Sequence, residues 1–76
     1  MKVKVYSTTM CPWCNVTKHF LRKHNIEFED INVQEDHKAA QEMINKSGQM
    51  GVPVIDIDGE FILGFDQAQL KEKLGL

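Results

Sequence analysis

Lys2-Val3-Lys4-Val5-Tyr6-Ser7-Thr8-Thr9-Met10-Cys11-Pro12-Trp13-Cys14 decides the fold of this chain, because an alternating stretch runs directly into a cysteine pair that opens a helix. Val3 and Val5 alternate with Lys2, Lys4 and Tyr6, which is the period of a strand. Pro12 has no N–H to leave unpaired at the first helical position, which makes Cys11 the N-cap and Cys14 the third helical residue. The helix is expected to run to about His24, with Val16, Phe20 and Leu21 facing inward and Lys18, Arg22 and Lys23 outward. The late basic residues complement the C-terminal end of the helix dipole, and Asn25 is the expected stop.

Farther along, Glu27 to Ile31 reads as a second strand with Phe28 and Ile31 as its apolar contacts. Asn32 followed by Glu35 has the form of a capping box, and Ala39, Ala40, Met43 and Ile44 give the next helix a buried stripe that ends at Ser47-Gly48. Val54 to Ile57 and Phe61 to Leu63 flank Asp58-Gly59, a dipeptide that accepts the positive φ angles of a two-residue hairpin turn. Asp66 caps a last helix anchored by Leu70 and Leu74, with Gln69 at the box position and Phe65 stapling against Leu70. The order is βαβαββα, an α/β fold whose first strands are parallel through a right-handed crossover and whose last strands are antiparallel.

With 76 residues there is room for one core, so residues 1–76 are expected to form a single domain. A formal charge of −2 does not supply the clustered cations that neutralise phosphates, so no nucleic-acid partner is expected. No apolar run reaches bilayer-spanning length and the first residues lack an apolar signal-peptide core. A reducing cytoplasm without membrane contact is therefore the expected setting, where a disulfide is more often catalytic or transient than structural.

Both cysteines of the chain lie in one C-x-x-C, which points to thiol–disulfide exchange. At the N-cap the Cys11 sulfur is expected to face the amides of Trp13 and Cys14 and the positive end of the dipole. Both favour the thiolate and lower the thiol pKa from its ordinary ~8.5. Cys14, nearly one turn on and more buried, is placed to resolve a mixed disulfide formed at Cys11. Zinc needs four ligands, and His19, His24 and His37 lack the usual spacing to complete a set. A purely stabilising disulfide gains most from closing a long loop, and this loop is very short. Val52-Pro53 opens a strand, and either a trans or a cis bond is compatible with that position.

Cys11-Pro12-Trp13-Cys14 after a strand, Val52-Pro53 before a hairpin and Gly64-Phe65-Asp66 at the last helix together resemble a glutaredoxin of the thioredoxin superfamily, over essentially the whole chain. The resemblance implies a four-stranded mixed sheet in the order β2-β1-β3-β4, packed by three helices, with a cis peptide before Pro53. It implies a dithiol oxidoreductase that reduces protein disulfides as a monomer, with Cys11 and Cys14 catalytic and no bound metal or cofactor. Pro12, Trp13, Val52, Pro53, Gly64, Phe65 and Asp66 match positions that line the family's glutathione or peptide groove. Asp66 is equally readable as a helix cap, and Met10 and Met50 as an adaptable apolar rim or as ordinary packing.

Departures from the family pattern bear on the reductant. Thr8 stands where glutathione-using members usually carry a lysine, and Gly64-Phe65 resembles glutaredoxin-like proteins recharged by a flavin-dependent thioredoxin reductase. Glutathione as a co-substrate and the flavoenzyme therefore both remain open. Ribonucleotide reductase and a peroxiredoxin are the implied classes of protein target. An iron–sulfur cluster held at Cys11 between two chains is the alternative reading.

Overall fold

The alternation at the start of the chain produces a central strand with two different faces. In the computed structural model, which describes residues 1–76, β1 (Val3–Ser7) is followed by α1 (Pro12–Lys23), β2 (Glu29–Asn32), α2 (His37–Ser47), β3 (Val54–Ile57), β4 (Glu60–Leu63) and α3 (Gln67–Leu74). β1 pairs parallel with β2, Lys4 opposite Glu29 and Ser7 opposite Asn32, and antiparallel with β3, Val3 opposite Ile57 and Tyr6 opposite Val54. β4 completes the sheet by pairing antiparallel with β3, so the order is β2-β1-β3-β4 as expected. Asp58 (φ 51°) and Gly59 (φ 90°) both take the left-handed conformation at the β3–β4 hairpin, the geometry of its favoured turn.

Strand alternation sorts the core into two layers. Val3, Val5, Ile55, Ile57 and Ile62 pack against Phe20 and Leu21 of α1 and Leu70 and Leu74 of α3. On the opposite face Tyr6 and Val54 meet Met43 of α2. Full burial of each large apolar side chain contributes on the order of 1.5–3 kcal/mol, so the first face is the main anchor of α1. No helix is long and apolar enough to cross a membrane.

Several details depart from the sequence reading. Val16 is exposed, and the inward place falls to Thr17, which is fully buried with its hydroxyl donating to the Trp13 carbonyl at 2.9 Å. Lys18 does not point into solvent: its side chain is 13% exposed and its ammonium donates to Asp30 Oδ2 at 3.0 Å and Ser7 Oγ at 3.4 Å. The long side chain thus ties α1 to both β1 and β2. β2 begins at Glu29, not Glu27, and Phe28 packs on the core ahead of it.

The cap of α2 is Asp36, whose carboxylate accepts from the Ala39 amide at 3.0 Å. Asn32 instead shapes the preceding turn, accepting from the Gln34 amide and donating to Glu35. That local bond is the usual competitor of a capping role. Gly48, left-handed at φ 76°, ends α2 as expected. Of the anticipated α2 stripe only Met43 is buried; Ala39, Ala40 and Ile44 are half-covered.

Tyr6, the only tyrosine, is 1% exposed with its hydroxyl 3.4 Å from Glu42 Oε1. Burial pushes its phenol up to about 12, reinforced by the negative charge of Glu42. The unfolded chain ionises this group near ~10, so the stabilisation from the buried neutral phenol is complete below that pH and lost as the pH rises through about 12. Spectrophotometric titration should place phenolate formation well above the value measured in denaturant. Coincident midpoints would contradict this environment.

Candidate active site

β1 delivers the chain to the helix mouth, and Cys11 takes extended angles (φ −138°, ψ 96°) as the N-cap of α1, with Pro12 at the first helical position. The Cys14 amide donates to Cys11 Sγ at 3.1 Å, while the anticipated second donor, the Trp13 amide, makes no bond to it. The two cysteines form a disulfide with their Cα atoms 5.2 Å apart, inside the range such a bond accepts. Cys11 is 8% exposed and Cys14 0%, so an incoming sulfur can meet only the first. Reduced, Cys11 would sit against an amide donor and the positive end of a helix that has no acidic residue in its first turn.

A second feature converges on the same helix end. Trp13, 61% exposed, stacks on Phe65 with ring centroids 6.1 Å apart and planes 18° from parallel. Phe65 in turn meets Phe20 of the core edge-on at 5.8 Å. The Val52–Pro53 peptide is cis, and the Gly64 amide donates to the Pro53 carbonyl at 2.9 Å, which fastens the turn after β4 to the start of β3. Trp13, Val52, Pro53, Gly64 and Phe65 together line an open cleft of about 200 Å³.

Five of the groove residues read from the sequence are therefore brought together, and two are not. Pro12 is exposed on the first turn outside that lining, and Asp66 spends its carboxylate on the Gln69 amide at 3.1 Å as the cap of α3. Thr8 lines a different depression of about 420 Å³ with Met10, Val33, Gln34, Ala40, Met43, Ile44 and Met50. Apart from the rim methionines, nothing in the sequence signalled that depression, because its walls come from loops and from the half-covered face of α2. No three His, Cys, Asp or Glu side chains gather in a metal-binding arrangement.

The stack of Trp13 on Phe65 has a measurable consequence. A double-mutant cycle with Trp13→Leu and Phe65→Leu should return a coupling of about 0.5–1.5 kcal/mol in denaturant unfolding, the usual contribution of an aromatic pair beyond its buried area. Additive losses would contradict it.

Known proteins resemble this chain in sequence and in fold. The glutaredoxin family profile matches residues 3–62. An uncharacterized glutaredoxin-like 8.6 kDa protein in the rubredoxin operon of Clostridium pasteurianum is 52% identical over 68 residues, covering 90% of this chain and 91% of the relative. Among solved structures, the glutaredoxin of Archaeoglobus fulgidus superposes with a TM-score of 0.87 at 29% identity, over 96% of this chain and 85% of its own. The NrdH-redoxin of Escherichia coli, a glutaredoxin-like protein described as having a thioredoxin-like activity profile, gives 0.84 at 25% identity over 95% and 93%. A profile spanning most of the chain, a thioredoxin-like fold and a paired Cys11–Cys14 agree: this chain belongs to the glutaredoxin family and is a thiol–disulfide oxidoreductase.

Proposed function

We propose that the protein is a monomeric, cytoplasmic dithiol electron carrier that reduces protein disulfides and is recharged by a flavin-dependent thioredoxin reductase in preference to glutathione. The observation that carries the chemistry is the Cys14 amide aimed at Cys11 Sγ, with Cys14 itself out of reach of an incoming partner. In the forward reaction the Cys11 thiolate attacks one sulfur of the target disulfide, and the other target sulfur leaves as a thiolate. Cys14, as its thiolate, then attacks Cys11 Sγ. The mixed disulfide breaks, the second target thiolate leaves, and Cys11–Cys14 is oxidised by two electrons. Disulfides such as those of ribonucleotide reductase or a peroxiredoxin are suitable targets for this step.

The preference for a protein reductant rests on charge. Glutathione carries carboxylates at both ends, and no Lys, Arg or His lines either the cleft beside Trp13 or the depression at Thr8. The Gln69 amide at the α3 N-terminus is already bonded to Asp66. A protein reductant needs none of these cations, because it gains affinity from apolar contact with Trp13 and Phe65.

Oxidised protein should be reduced by thioredoxin reductase with NADPH faster than by glutathione with glutathione reductase and NADPH. Thr8→Lys should raise the glutathione rate by roughly tenfold, the scale of one new charge-assisted contact, without raising the flavoenzyme rate. Efficient reduction by glutathione in the unmodified chain, or no response to Thr8→Lys, would refute this assignment of the reductant.

A further inference from the structure

The depression at Thr8 is larger than the cleft beside Trp13, about 420 against 200 Å³, and its lining carries no charge. Met10 and Met50 stand at its rim, 87% and 78% exposed, so neither is explained by packing. Met43 is 1% exposed, and Ala40 and Ile44 supply an α2 wall that the rest of the chain only half covers. Two contacts hold the facing loop in place: the Thr9 amide donates to Gln34 Oε1 at 3.4 Å, and Asn32 Nδ2 donates to Thr9 Oγ1 at 3.1 Å.

Two residues of this lining are close in sequence to the exchange site. Met10 immediately precedes Cys11, and Met50 lies two residues before Val52 of the other cleft. Any polypeptide that presents a sulfur to Cys11 must therefore run over one of these margins. An extended chain advances about 3.4 Å per residue, so a side chain one or two positions from the attacked cysteine is within reach of Met10, the residue next to Cys11.

We infer that the depression receives an apolar side chain of the disulfide-bearing protein partner, and so selects targets with an aliphatic or aromatic residue one or two positions from the attacked cysteine. The inference rests on the protein-disulfide reading above. Several observations favour this occupant. An uncharged lining offers nothing to a carboxylate, an exposed apolar surface beside a reactive group marks a contact site, and thioethers repack around different side chains. Selection here adds to the apolar contact at Trp13 and Phe65, on the other side of Cys11.

The test compares oxidation of the reduced protein by insulin, a protein disulfide, and by 2-hydroxyethyl disulfide, which is too small to span the depression. Ile44→Gln with Met50→Gln makes the lining polar without changing charge. The double variant should lower the second-order rate constant with insulin about tenfold and leave the small disulfide within about twofold, and Met50→Leu should retain the insulin rate. An unchanged insulin rate, or equal losses on both substrates, would overturn the docking role. Association of the unmodified protein in sedimentation, abolished by the double variant, would overturn it in favour of a second copy of the chain. If the unmodified protein oxidises with 2-hydroxyethyl disulfide but not with insulin, the protein-disulfide reading itself fails.

Discussion

One amide hydrogen, donated by Cys14 to Cys11 Sγ at 3.1 Å, is the contact around which the molecule is organised. It exists because Pro12 forces the helix to begin immediately after Cys11, so that the cysteine occupies a cap position usually filled by a side-chain oxygen. The remainder of α1 secures that placement. Phe20 and Leu21 bury against the sheet, Thr17 closes its hydroxyl onto the Trp13 carbonyl, and Lys18 binds the helix to the ends of two strands. Once reduced, a sulfur so placed would face fixed dipoles that favour its anion.

Two depressions flank this helix mouth, each held by separate contacts. An aromatic series from Phe20 through Phe65 to Trp13 carries the core out to the surface, and the bond from Gly64 to Pro53 keeps the two loops of that groove together. On the other flank the short contacts among Thr9, Asn32 and Gln34 brace the loop that bears Met10. The helix mouth thus stands beside two depressions whose linings carry no charged side chain.

Much of this was legible from residue order. Cys11-Pro12 announced the helix start, Asp58-Gly59 the hairpin, and Leu70 with Leu74 the docking of α3. Misreadings arose where a polar residue meets its own needs locally. Thr17 looks unsuited to burial until its hydroxyl turns back along the helix, and Val16, about 100° away, was given its place. Asn32 carries the capping pattern in the sequence, and only three-dimensional geometry shows it spent on the turn before the helix while Asp36 takes the cap. Of the larger depression only the rim methionines Met10 and Met50 were legible, because its walls meet through topology and no periodicity joins Thr8 and Met50 to Ile44.

The central claim is most directly tested by alkylating the reduced protein with iodoacetamide across a pH series and locating the label by mass spectrometry. The account predicts that Cys11 is modified first, at neutral pH, roughly tenfold faster than the same residue in the denatured chain, while Cys14 is largely spared. Equal rates for Cys11 in the folded and denatured states would contradict it.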